Sequence, residues 1–257
     1  PLSAIPELDY PAFLELNVFL LLKTPACHCV NYFAFRYNDG IKLICCIAND
    51  DSHIIHISSA VADAKQPLSS FTQHNLVFEK FEREIHENFG IAYTDHPWLK
   101  PVRFPFNRFN KNTTIANYPF FNIESEELHE VGVGPIHAGI IEPGHFRFIC
   151  NGEQILHLEV QLGYQHRGIE QLFLEKKKLL QRITLAENIS GDSVAGHTVA
   201  FVNLWESLCN YHPGKDLQYS RTLALELERV AVHTGDLSGM CTDVAYQLGS
   251  AVFGRLR

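Results

Sequence analysis

Between Gly132 and His197 the chain gathers side chains that can move protons and steer electrons, set beside glycines that let a backbone turn tightly or approach a partner. Gly134-Pro135-Ile136-His137 runs on to Glu142-Pro143-Gly144-His145. Gly163-Tyr164-Gln165-His166-Arg167-Gly168 follows, and Glu187-Asn188-Ile189-Ser190-Gly191-Asp192-Ser193 closes the series. A buried carboxylate beside a histidine can hold and release protons, which makes Glu142 a candidate relay. The plain alternative is a Glu-Pro-Gly turn that opens a strand. His137, after Gly-Pro, either lines the same cavity or anchors its loop. Asp243 falls in a long apolar stretch, where an unpaired carboxylate is costly. A buried polar network with Glu228, His233 and Asp236, near neighbours on the same stretch, is one way to hold it.

Composition narrows the classes. The 257 residues are 46% hydrophobic and 19% charged, within the range of globular proteins and enough for one large domain or two ordinary ones. A formal charge of −8 leaves no basic stripe to release counterions from phosphates, so nucleic acid is not an expected partner. Lys176-Lys177-Lys178 reads as a solvated helix face. Seven cysteines, an odd number with no Cys-x-x-Cys pair, do not form a disulfide framework and read as small core residues in a reducing compartment. Cys27-His28-Cys29, with no second pair, is a weak metal signal. No apolar run reaches the roughly 18 residues of a membrane span. The missing initial Met and an apparent helix running into Arg257 suggest a fragment cut at both ends.

These residues need elements to hold them. Residues 1 to about 75 read as short strands and loops. The half-alternating Tyr32–Tyr37, the Asn38-Asp39-Gly40 turn and the apolar Ile41–Ala48 make a hairpin, and 53–57 a third strand. From Leu76 to Phe89 the period changes. Phe78, Phe81, Ile85 and Phe89 predict a helix with one apolar stripe, Glu79, Glu82, Arg83 and Glu87 facing out, and Gly90 as its terminator. The proline-rich 95–109 stretch then reads as an extended arm across a neighbouring surface. The segment Phe81–Ile91, with His96-Pro97-Trp98-Leu99, resembles the signature of the 30-kDa subunit of respiratory complex I. That resemblance implies an α/β docking domain over residues 1–120 whose task is assembly, with 112–122 as linker.

The remainder, 121–257, opens with a hairpin over 146–160 and continues in helices at 169–177 and 193–210. Tyr211-His212-Pro213-Gly214 breaks the pattern, and one long buried helix then runs through 223–252, with Gly235 and Gly239 allowing close helix contact. The stretches GPIHAGIIEPGHFRF, GYQHRGIEQL and LELERVAVHTGDLSGMCTDVAYQLG together resemble the large subunit shared by complex I, where it is the 49-kDa subunit, and membrane-bound nickel–iron hydrogenases. The likeness covers essentially all of residues 131–257 and leans toward the hydrogenase side. The expected fold is therefore α+β: an α/β docking domain, then a mainly helical hydrogenase-like domain with a small entry sheet.

The resemblance carries specific expectations. Ser190 and Ser193 stand where such hydrogenases place two nickel-binding cysteines, and a protonated serine hydroxyl cannot replace a thiolate on nickel. The chain is thus expected to hold no metal and not to work as a hydrogenase. Where the complex I family keeps a tyrosine and a histidine for a quinone head group, this chain has Gly191 and a position near Ile141. Glu142 matches a proton-relaying glutamate, and Asp243 an aspartate bordering the substrate cavity. His166 and Arg167 resemble residues that face a 4Fe-4S cluster in an adjoining small subunit; an Arg167–Glu170 ion pair capping a helix is compatible with that role. Implied partners are that iron–sulfur subunit, other soluble subunits and membrane subunits that translocate ions, with NAD(H) reached only through them. A quinone is the leading acceptor, and the chain is expected on the cytoplasmic side of the membrane without its own span. A non-catalytic scaffold role is the competing account.

Overall fold

In the computed structural model, which describes residues 2–105, 107–136 and 141–257, strand and helix are mixed as an α+β chain requires. Contacts divide the chain into one unit made of 1–132 with 146–164, and another of 133–145 with 165–257. The hairpin over 146–161 groups with the first unit.

In the first unit, β1 (Glu7–Leu8) leads to α1 (Tyr10–Lys23), then β2 (Cys27–Tyr37), β3 (Gly40–Asn49) and β4 (Ile54–Ala62), in the sheet order β1-β4-β3-β2. The β2–β3 hairpin turns at Asn38-Asp39, with Tyr37 opposite Gly40, and β1 joins β4 in parallel. The predicted hairpin and third strand are both present. α1 is a correction, since 1–75 was expected to contain no helix. Asp9 starts it by accepting from the Ala12 amide at 2.9 Å. Apolar residues surround this helix, so its sequence shows no 3.6-residue contrast. Its buried Asn17 donates to Phe13 O at 2.7 Å and to Ser58 Oγ at 2.9 Å, which satisfies a polar side chain inside the core. Around it Phe13, Tyr32, Phe71 and Phe78 interlock, with Phe13 and Phe71 edge to face at 5.5 Å.

A short strand pair, β5 (Leu68–Ser69) and β6 (Tyr93–Thr94), brackets α2 (Glu79–Phe89). α2 ends at Gly90, whose φ of 78° is left-handed, as the sequence indicates. Its charged side is not the solvent face expected. Glu82, Arg83 and Glu87 are all buried. The 95–109 arm lies across them, and its backbone bonds the charges. Arg83 donates to Lys100 O at 2.7 Å and Pro101 O at 2.8 Å, and Glu87 accepts from the Val102 and Arg103 amides at 3.2 Å. On the opposite flank Glu82 accepts from Ser70 Oγ, the Phe71 and Thr72 amides and Thr72 Oγ1 at 2.6 to 3.2 Å. Buried charge is tolerated because each group is bonded.

β7 (His129–Val133), β8 (His145–Asn151) and β9 (Gln154–Gln161) form a second sheet in the order β7-β8-β9. The buried Glu159 pairs with Lys100 and accepts from the Phe121 amide at 2.8 Å, and Gln161 donates to Ile115 O at 2.7 Å. These bonds tie the 115–121 segment and the arm to the hairpin.

The second unit is helical: α3 (Ile169–Glu175), α4 (Leu179–Glu187), α5 (Val194–Leu208), α6 (Lys215–Asp243) and α7 (Gln247–Leu256). The long buried helix expected through 223–252 is two helices, broken at 244–246 with Ala245 at φ 59°. α7 turns back on α6, so that Ser238 Oγ donates to Ser250 O at 2.9 Å. A Cβ at Gly249 would lie 2.7 Å from Cys241 Sγ and 2.5 Å from the Tyr246 ring, so the tight return needs glycine there. Burial is also corrected. Leu223, Leu227, Val230, Val244 and Leu248 are exposed, since α5 and α7 each cover only part of α6. No helix among the described residues is long and apolar enough to cross a membrane.

Candidate functional site

The helical unit brings the second and third chemical clusters together. Gly168, in a left-handed conformation at φ 67°, starts α3, and the preceding Arg167 donates from Nη1 to Ile189 O at 3.3 Å. α4 ends in a short cap, where Asn188 Nδ2 donates to Thr184 O at 2.7 Å. The Ser190–Ser193 segment then makes a turn closed by the Ser193 amide on Ser190 O at 3.4 Å, and α5 begins.

Serine is among the best helix-capping residues. Ser193 occupies the cap position of α5 yet makes no side-chain cap bond. The cap comes from α6 instead. Glu228 accepts the Ala195 amide on Oε1 at 2.6 Å and the Gly196 amide on Oε2 at 2.9 Å. Ser193 O is engaged by the His197 amide at 3.0 Å and by His197 Nδ1 at 2.8 Å; facing a carbonyl, that ring nitrogen must carry the proton. Asp192 pairs with Arg257 at 3.3 Å. A cavity of about 300 Å³ lies between the turn and α6, lined by Asp192, Leu225, Glu228, Arg229, Val232 and His233.

A larger cleft of about 480 Å³ sits where α5 ends and α6 begins, and nothing in the sequence singled it out. Its floor is a two-point ion pair, with Arg221 donating to Glu206 at 2.6 and 2.8 Å and to Asn203 at 3.2 Å. The Arg221 hydrogen bonds hold the Glu206 carboxyl below its ordinary range. Arg221 lies fifteen residues from Glu206, beyond the reach of any local spacing rule.

The other expected site residues are not gathered here. Glu142 is exposed, on a loop that the Gly144 amide closes onto Pro135 O at 3.0 Å. Asp243 is the exposed last residue of α6, not a carboxylate inside an apolar helix. His137 lies outside the described residues. His166 is half-buried, and Arg167 is exposed apart from its bond to Ile189. Among the described residues no hydrogen bond or ion pair joins Glu142 or Asp243 to the Ser190–Ser193 turn. The donors at the turn, two neutral hydroxyls, do not suit nickel, which favours anionic sulfur. The described residues contain no group of three or more His, Cys, Asp or Glu side chains able to hold a metal ion.

The family described as respiratory-chain NADH dehydrogenase, 30 Kd subunit, matches residues 15–112. Hydrogenase-4 component G of Escherichia coli (strain K12) is 31% identical over 162 residues, covering 63% of this chain and 29% of that protein. Formate hydrogenlyase subunit 5 of the same strain is 29% identical over 194 residues, covering 68% of this chain and 34% of the relative. The C/D subunit of NADH-quinone oxidoreductase from Bacteroides thetaiotaomicron is 23% identical over 223 residues, covering 74% of this chain and 42% of that protein. The chain therefore carries a 30 Kd-subunit domain and is homologous to membrane-bound hydrogenase large subunits and to fused C/D subunits. It spans 29% to 42% of the length of these three relatives.

Proposed function

We propose that this chain is part of the fused large subunit of a membrane-associated oxidoreductase related to complex I and to membrane-bound hydrogenases, in which the nickel site has been lost. The reading is supported by one chain that matches the 30 Kd-subunit family over residues 15–112 and is similar to a hydrogenase component, with Ser190 and Ser193 in the turn that resembles the hydrogenase metal motif. In this reading the inherited cavity takes a quinone or a similar acceptor on the cytoplasmic side of the membrane. Electrons come from a 4Fe-4S cluster in a partner subunit, faced by His166 and Arg167. Glu142, His137 and Asp243 relay the two protons that a quinone takes up with two electrons. NAD(H), where it is the donor, acts through other subunits, and ion-translocating subunits hold the complex at the membrane.

The test is made on the purified full-length complex. The reading expects no stoichiometric nickel, quinone reduction by the assembled complex, and loss of most turnover in Glu142→Ala and Asp243→Ala. Stoichiometric nickel overturns the account of the serines. One observation favours a second reading, that of a non-catalytic scaffold: both carboxylates are exposed in the described chain. Unchanged turnover in both variants, with the complex intact, selects the scaffold.

A further inference from the structure

We propose that Cys29 and Cys45 form a redox-reactive dithiol in the first unit, a modification site for a small neutral oxidant such as hydrogen peroxide. The two residues lie on neighbouring strands, Cys29 on β2 and Cys45 on β3. Side chains change face at every residue of a strand, so strict alternation would turn Cys29 outward with the exposed Asn31 and Phe33. The β2–β3 register breaks at this point: Asn31 lies opposite Cys46, but Cys29 lies opposite Ile47. Val30 is the extra residue of a bulge, and the bulge re-aims Cys29 onto the core face. Ile47 and Cys45, two positions apart, share that face of β3. Cys29 packs against the cluster that contains Tyr32, Cys45 and Ile47, and its thiol shares a hydrogen bond with that of Cys45. Cys46, opposite Asn31, points to the other face.

Exposure divides the roles. Cys45 is fully buried, whereas Cys29 is half-buried, on the edge strand of the sheet. The hydrogen bond from Cys45 holds the Cys29 thiol below its ordinary range, and the same bond, together with burial, raises Cys45. Cys29 is thus the attacking thiolate and Cys45 the resolving thiol. The Cys29 thiolate attacks one peroxide oxygen and the O–O bond breaks. The departing hydroxide takes up the proton that the thiol released and leaves as water, so that Cys29 becomes a sulfenic acid. The Cys45 sulfur then attacks the Cys29 sulfur. An S–S bond forms, the S–O bond breaks, and hydroxide leaves with the Cys45 proton as a second water. The two thiols lose two electrons in all, and one peroxide is reduced to two waters. The new bond pins β2 to β3, and a dithiol reductant restores both thiols by exchange.

The full-length complex is treated with hydrogen peroxide, quenched with N-ethylmaleimide and digested with trypsin. Cleavage after Lys23, Arg36, Lys42 and Lys65 leaves Cys29 in peptide 24–36 and Cys45 in peptide 43–65. Mass spectrometry is expected to find these two peptides cross-linked, with fragmentation locating the bond at Cys29 and Cys45, and dithiothreitol should release them. The cross-link should persist in Cys27→Ala and Cys46→Ala and disappear in Cys29→Ser and Cys45→Ala. In Cys45→Ala the sulfenic acid has no resolving partner, so labelling of Cys29 by dimedone should rise several-fold over the wild type. Cys29→Ser should leave Cys45 unlabelled. Absence of the cross-link in the wild type, or a bond through Cys27 or Cys46 in its place, overturns the assignment. Dimedone labelling of Cys45 in Cys29→Ser overturns Cys29 as the attacking thiol. The wild-type mapping needs no substitution, so it decides the matter even where a variant fails to fold.

Discussion

His96 Nε2 lies 3.8 Å from the Glu82 carboxylate, with both side chains closed to solvent. His96 Nδ1 accepts the Trp98 amide at 2.9 Å and Nε2 donates to Glu79 O at 3.4 Å, so these bonds are made by a neutral ring protonated on Nε2. Burial holds the His96 pKa below its usual 6.5, although Glu82 pulls the other way. The unfolded chain therefore takes up this proton first as the pH falls. The contribution of His96 is fully present above 6.5 and is lost as the pH drops below it toward the folded-state value. Urea unfolding followed by Trp98 fluorescence in a Trp205→Phe background should show this loss, and His96→Asn should remove that component of the pH dependence. Identical pH profiles for the two proteins would refute the assignment.

Glu82 is fully buried and accepts four hydrogen bonds, with Ser70, Phe71 and Thr72 donating to it. Glu82→Ala leaves those buried donors without an acceptor and should cost about 3 kcal/mol of stability. Glu82→Gln keeps an amide oxygen and should cost clearly less. Equilibrium denaturation compares the two, and equal losses would argue against the hydrogen-bond account.

Gly90 terminates α2 at φ 78°, and a Cβ there would come within 2.7 Å of the Phe109 ring. Gly90→Ala should cost roughly 1–2 kcal/mol, partly from the left-handed backbone and partly from displacing Phe109. Because Phe109 is mostly exposed, the ring can yield, and the penalty should shrink when Phe109→Ala is made in the same protein. The end of the 95–109 arm should also become more sensitive to limited proteolysis in Gly90→Ala alone. A penalty independent of Phe109 would assign the whole effect to the backbone.

Arg167 carries a fixed positive charge at the edge of the turn it bonds. If it faces a partner's cluster as proposed, Arg167→Ala should lower the midpoint potential of that 4Fe-4S centre, on the order of tens of millivolts, because the reduced form loses a nearby cation. A redox titration of the assembled complex by electron paramagnetic resonance reads this directly. An unshifted potential with an altered turn would confine Arg167 to its bond with Ile189.

Local signals carried much of the first unit. Asn38-Asp39-Gly40 between two apolar runs announces the β2–β3 hairpin, and the three-and-four spacing before Gly90 announces α2, because turn chemistry and helix period act within a few residues. The same rules failed where contrast vanished or distant chain intervened. α1 is apolar on every side, which hides its period. The charges of α2 read as solvent-facing, yet the arm some fifteen residues onward covers them and satisfies them with its own carbonyls and amides. The site residues divided in the same way. The fold brings Arg167 against Ile189, beside the Ser190–Ser193 turn, whereas Glu142 and Asp243 came out on exposed surface.

By itself the sequence announced the β2–β3 and β8–β9 hairpins, the strand at 54–57, α2 and several of the later helices. These properties reside in neighbouring residues and in side-chain chemistry. Only the tertiary structure decided which charges are buried, where the last long helix breaks, and that Glu228 on α6, not Ser193 beside it, caps α5. Such choices depend on hydrogen-bond partners that folding brings together from far along the chain, and a buried polar group settles wherever its bonds are completed.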